Sequence, residues 1–208
     1  MITLIDYGIG NLRSLEKAFT SVGIEVERTG DQRRIATAQK LVLPGVGAFG
    51  RCSSELSSRG LDGVVRDAAH RGVPLLGVCV GMQLLFRSST EFGDHPGLGL
   101  LDGEVKRFRE TDSEGQRLKI PHVGWNSFQW IREHPLAHGV ASDTFAYFVH
   151  SYRVTGLNEA DVLAECTYGE RFPAIVGRQN VLGIQFHPEK SQATGLQLLH
   201  NFATQESP

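Results

Sequence analysis

Cysteine is scarce in this chain: three in 208 residues, with no CxxC pair. Cys52, Cys79 and Cys166 form an odd, sparse set, which excludes a disulfide framework and a structural zinc site. Reduced thiols in a reducing compartment fit better, and no metal or cofactor is expected. Long apolar runs are also missing, since none approaches the roughly 20 residues that span a bilayer. Neither sign of charge dominates: 21 Lys and Arg against 23 Asp and Glu leave a net charge of −2. That balance argues against nucleic acid or an anionic membrane as the main partner. The first residues, MITLIDYGIGN, carry no basic region and no small-residue cleavage site. They read as an opening strand, so the expected location is the cytoplasm. Internal repeats and low-complexity linkers are absent. The most polar stretch, RETDSEGQR at 109–117, suits a hairpin tip or surface loop.

What is present is enough apolar material, 40% of the residues, for one well-cored α/β domain over 1–208. ITLID predicts a first strand. Leu12, Leu15, Phe19 and Val22 follow at helical steps, with Gly23 as the stop. IEVER and KLVLP read as further strands. Leu61, Val64, Val65, Ala68 and Ala69 mark another helix, closed by Gly72 and Pro74. VPLLGV is continuously apolar, as a central parallel strand buried on both faces must be. The second half is richer in short strands (FAYFVH, VLAECTY, AIVGR, VLGIQFH), and a last helix carries Leu196, Leu199 and Phe202. The expected architecture is therefore an open, mostly parallel twisted sheet flanked by helices, with an antiparallel edge extension. In such sheets the ligand site lies at the carboxyl ends of the strands.

Four motifs fall at those ends. GIGN has two glycines, Gly8 and Gly10, but Arg13 where a dinucleotide fingerprint needs a third. A tight turn is its ordinary reading. GVCVG has the G-x-C-x-G form of a nucleophile elbow, in which a strained strand-to-helix turn lifts Cys79 out of the sheet. A helix starting just after it would aim N–H groups and its dipole at the sulfur and favour thiolate. The ordinary alternative is a buried structural thiol; Cys52 and Cys166 are read that way. HPE places Glu189 two residues after His187, on one side of an extended backbone, so the carboxylate can hold the imidazole tautomer. A surface His–Glu pair is the alternative. PGVG at 44–47 offers backbone N–H groups to an oxyanion, with the N–H of Val80 as a second donor. By itself it reads equally well as a strand-end turn.

With these motifs in this order, the sequence resembles the class I (triad) glutamine amidotransferases, a flavodoxin-like family. Within it, the details are similar to the glutaminase subunits of imidazole glycerol phosphate synthases. That resemblance is carried by DYGIGNLRSL, LPGVGAF, GVCVGMQLLF, PHVGWN, YFVHSYR and GIQFHPEKS, which span nearly the whole chain in order. One departure is Val80, where Leu is common. The resemblance implies Cys79, His187 and Glu189 as a catalytic triad, and Val46, Gly47 and Val80 around the oxyanion. It implies Gln83, Glu91 and the backbone of Ser151 and Tyr152 as glutamine-binding groups, with Glu91 facing the ammonium. It also implies a heterodimer with a (β/α)8-barrel cyclase that consumes the ammonia. Asn11, Trp125, Asn126, Tyr147 and Lys190 would lie near the docking face, although Trp125 could equally be core. Rival readings are a glutaminase of another amidotransferase pathway, a catalytically silent scaffold on this fold, and a different hydrolase with an elbow thiol.

Overall fold

Short, fully apolar runs set the middle of the molecule. A computed structural model describes residues 1–205. The first half runs β1 (Ile2–Ile5), α1 (Leu12–Ser21), β2 (Val26–Thr29), α2 (Gln32–Ala36), β3 (Leu41–Leu43), α3 (Phe49–Ser58), α4 (Leu61–His70), β4 (Leu75–Val78) and a one-turn helix, α5 (Val80–Gln83). The second half opens with β5 (Ser88–Ser89), β6 (His95–Pro96), β7 (Glu104–Arg107) and β8 (His122–Trp130). It continues with β9 (Thr144–His150), β10 (Tyr152–Thr155), β11 (Val162–Tyr168), β12 (Glu170–Arg178), β13 (Val181–Ile184) and α6 (Gln192–Thr204).

Nine strands make one sheet in the order β2-β1-β3-β4-β13-β12-β11-β8-β9. The first five are mutually parallel, and the last four extend the sheet antiparallel. Every residue of β1, β3, β4 and β13 is buried, as strands covered by helices on both faces require. α1 turns Leu15, Ala18 and Phe19 inward, α4 turns Leu61, Val65, Ala68 and Ala69 inward, and α6 adds Leu198, Leu199 and Phe202. The decisive step is the late return of β13 to lie beside β4, with Ile184 opposite Val78. It brings a segment from the end of the chain against the elbow that follows β4.

The sequence leaves three features unmarked. α2 has only five residues, started by Asp31, whose carboxylate accepts from the N–H groups of Arg33 and Arg34 at 2.8 and 3.0 Å. α3 (FGRCSSELSS) is rich in residues of modest helix propensity and is held by burying Phe49, Cys52 and Leu56. A second sheet, β10-β7-β5-β6, is built from strands too short for alternation to show. The polar stretch 109–117 does turn back on itself, with Thr111 bridged antiparallel to Arg117. No described helix is long and apolar enough to cross a membrane.

Candidate active site

The turn after β4 places Cys79 at φ 55°, ψ −114°, a backbone region that costs a non-glycine residue energy. The surroundings hold it there. The N–H of Cys79 donates to the Ile184 carbonyl at 2.8 Å, tying the elbow to β13. Both flanking glycines are sterically required: a Cβ on Gly81 would sit 1.9 Å from the Leu43 carbonyl oxygen, and one on Gly77 would sit 2.6 Å from that of Gly81. The helix expected after the cysteine is only α5, one turn long. The expected dipole contribution is therefore small, because a macrodipole needs aligned turns. Strain and close approach, not a long helix, present the thiol.

Cys79 and His187 line the same cavity, of about 390 Å³. His187 Nδ1 lies 2.8 Å from Glu189 Oε1, so that nitrogen carries the proton and Nε2 is left for the sulfur. The route to this pairing differs from the expected extended strand. Pro188–Lys190 forms a 3-10 turn, and the turn folds Glu189 back under the ring. The Ser191 hydroxyl closes the turn, donating to the His187 carbonyl at 2.7 Å. Burial alone would push the His187 pKa down. The Cys79 sulfur and the Glu189 carboxylate beside it outweigh that and raise it to about 10. For Glu189, burial pushes up and the imidazole beside it pulls down, with a net lowering. The arrangement thus favours an imidazole that keeps its proton beside the sulfur, backed by a carboxylate. Burial pushes the thiols of Cys52 and Cys166 up, Cys166 to about 12.

The oxyanion side differs from expectation in one respect. Val46 and Gly47 line the cavity, but the Val80 N–H donates to the Gly45 carbonyl at 3.3 Å. It is therefore engaged within the chain and not aimed at a substrate oxygen. The loop is held from below as well: the Tyr7 hydroxyl donates to the Pro44 carbonyl at 2.7 Å, and the Cys52 thiol to that of Val46 at 3.4 Å. Neither Tyr7 nor Cys52 stands out in the sequence, because nothing local marks which carbonyl a buried donor will reach.

The other expected residues separate into two groups. Gln83, Glu91, Ser151, Tyr152 and Lys190 line the cavity with Cys79. The Gln83 amide donates to the Tyr152 carbonyl and to Gln185 Oε1, each at 3.1 Å. Glu91 Oε2 accepts the Phe49 N–H at 2.6 Å at the start of α3. Trp125 is exposed, not core, and sits edge-on to Tyr147 at 5.9 Å. The Lys190 ammonium lies 5.5 Å from the Tyr147 ring centre. Asn11 and Asn126 are engaged inside the chain. The GIGN turn, with φ of 85° and 138° at Gly8 and Gly10, delivers Asn11 to the His187–Glu189 pair, where its Nδ2 donates to Glu189 Oε1 at 3.0 Å. Asn126 donates to the Thr167 carbonyl at 2.9 Å. No group of three or more His, Cys, Asp or Glu side chains among the described residues is arranged to hold a metal ion.

The chain's likeness to known proteins agrees with this geometry. Residues 3–205 match the model of the family described as glutamine amidotransferase class-I. A Salinibacter ruber protein named imidazole glycerol phosphate synthase subunit HisH is 56% identical over 204 residues, covering 98% of this chain and 94% of the relative. The Bacillus subtilis protein of the same name is 45% identical over 202 residues, covering 97% and 95%. Among solved structures, one described as a glutamine amidotransferase superposes with a TM-score of 0.73 at 22% identity, covering 97% of this chain and 98% of that one. PurLQS from Thermotoga maritima superposes with a TM-score of 0.72 at 18% identity, covering 97% and 95%. At that identity the two structures speak for the fold alone. The full-length family match and the near full-length relatives together show that this chain belongs to the class-I glutamine amidotransferases.

Proposed function

We propose that the chain is the glutaminase subunit of an imidazole glycerol phosphate synthase, acting as one amidotransferase domain over 1–208. The observation that carries this reading is the meeting of a strained Cys79 with the His187–Glu189 pair over one cavity. The HisH relatives, matched over nearly their whole length, supply the pathway, histidine biosynthesis.

In this reading the Cys79 sulfur forms a bond to the side-chain carboxamide carbon of glutamine. His187 passes its Nε2 proton to the nitrogen as the C–N bond breaks, and ammonia leaves. Water then attacks the thioester, His187 takes its proton, and the C–S bond breaks to release glutamate. Glu189 holds the imidazole tautomer and stabilises the imidazolium, while Asn11 holds Glu189. Val80 can serve the oxyanion only when its N–H leaves the Gly45 carbonyl, so the PGVG loop must shift for full activity. A missing donor of this kind typically costs on the order of 10²–10³ in rate.

Free ammonia calls for a neighbouring acceptor. The outward side chains of β8 and β9 offer a docking face: Val123, Trp125 and Phe145 are 54%, 47% and 56% exposed and lie beside Tyr147 and Lys190. A (β/α)8-barrel cyclase in a one-to-one heterodimer is the partner that this reading assigns to that face, and the cytoplasm is its location. Co-purification followed by an ammonia assay with and without the captured protein tests both parts. Glutamine hydrolysis that rises strongly with the partner and its acceptor is expected. Full activity of the isolated chain, with nothing co-purifying, refutes the docking reading.

A further inference from the structure

We infer that His122 and His150 form a positioning pair that holds the Ser151–Tyr152 backbone in the geometry that grips the amino-acid end of glutamine. The inference rests on the glutaminase reading above and deepens it.

The two imidazoles face each other across β8 and β9, in register, on the inner side of the sheet. Both are buried, at 3% and 7% exposure, in a box of aromatic rings. His122 lies 4.1 Å from the Tyr168 ring centre and 5.0 Å from that of Phe148, and His150 lies 5.1 Å from those of Phe108 and Phe172. Phenylalanine would fill such a box without desolvating polar nitrogens, so imidazoles there need hydrogen bonds to persist. All four nitrogens have them. His150 Nδ1 lies 2.8 Å from the Tyr152 carbonyl oxygen, a pure acceptor, so Nδ1 carries the proton. His150 Nε2 is then an acceptor, and His122 Nδ1, at 3.2 Å, must be its donor. His122 Nε2 is left to accept the Asn126 amide at 3.3 Å. One carbonyl thus fixes both tautomers.

That carbonyl belongs to the cavity wall. It accepts from His150 and from Gln83, while the preceding carbonyl, that of Ser151, accepts the Phe108 N–H at 3.0 Å. With both carbonyls pinned, peptide planarity directs the N–H groups of Tyr152 and Arg153 as well. His150 is itself a cavity residue. Burial keeps it neutral, with its pKa lowered to about 3, and the nearby His187 pushes the same way. Burial likewise lowers His122 to about 4. A neutral donor suits this wall because a second cation beside the catalytic imidazolium would oppose its formation.

The test compares His150→Phe, His122→Phe and His150→Asn with the wild type in the full chain with its co-purified cyclase. Asparagine keeps an amide donor near the place of Nδ1. His150→Phe should raise KM for glutamine about five- to tenfold, as loss of one neutral hydrogen bond implies, while kcat falls by much less. Asparagine should restore most of the KM. Alkylation of Cys79 by iodoacetamide, which has no amino-acid end, should keep its wild-type rate. In the wild type, imidazole nitrogen NMR should show Nδ1–H on both rings. Unchanged KM in all three variants overturns the inference, as does an Nε2–H tautomer on either ring. So do equal losses in kcat and KM that asparagine does not rescue. A wild-type complex that leaves glutamine intact refutes the glutaminase reading itself, and the pair's role with it.

Discussion

Acid should destabilise this protein well above the carboxylate range, and the two buried imidazoles set the size of the effect. Their folded pKa values, about 4 for His122 and about 3 for His150, lie below the unfolded value of about 6.5. Below pH 6.5 the unfolded chain therefore binds protons that the folded chain refuses, and stability falls as pH falls. At pH 5 each imidazole accounts for about 2 kcal/mol of lost stability, so the pair removes about 4 kcal/mol relative to pH 8. The loss levels off only when the folded rings themselves protonate. His187 runs the other way: its folded pKa is raised, so its contribution is full below about pH 6.5 and fades as pH rises through about 10. The windows separate. Urea unfolding at pH 8, 6 and 5, for the wild type and a His122→Phe/His150→Phe double variant, isolates the pair. Half-buried His134, also lowered by desolvation, is common to both proteins and cancels in the difference. The stability difference between them should shift by about 4 kcal/mol in the variant's favour between pH 8 and 5. A difference that stays constant refutes the claim that the two rings are buried and neutral.

Three further outcomes follow from the site. Gly81→Ala forces a Cβ to within 1.9 Å of the Leu43 carbonyl oxygen and should cost about 3 kcal/mol or more, read as a drop in Tm and soluble yield. Asn11→Leu removes a hydrogen bond to a buried carboxylate that orients the base; kcat should fall about tenfold with KM little changed, whereas a change confined to cyclase binding contradicts its role at Glu189. Glu91→Gln keeps a group able to accept the Phe49 N–H but loses the charge. It should raise KM for glutamine about tenfold or more, and an unchanged KM removes Glu91 from the substrate site.

Much of this was legible in the residues because chemistry and steric need coincide there. G-x-C-x-G announces an elbow since its glycines are the only residues that fit, and the close approaches at Gly77 and Gly81 bear this out. The fully apolar β4 announces a central strand, whereas β13, read only as one of the late short strands of an antiparallel extension, returns parallel beside it. His187 and Glu189 were legible as a pair, but by the wrong local geometry: Pro188 begins a 3-10 turn, which the residue types H-P-E permit as readily as an extended strand. The bond from Asn11 to Glu189 is illegible because nothing in sequence shows a contact across 178 residues. The His122–His150 pair stayed hidden for the same reason, since its partners lie on β8, β9 and the start of β10. The occupation of the Val80 N–H by Gly45 depends on how two loops meet, and no local pattern encodes it.

Everything proposed for this site rests on Cys79 as the nucleophile of a glutaminase. A glutamine-mimicking diazoketone, applied to the complex and mapped by peptide mass spectrometry, tests it most directly. One adduct per chain, on Cys79 and blocked by excess glutamine, is the predicted result. No adduct, or one on Cys52 or Cys166 with Cys79 untouched, contradicts it.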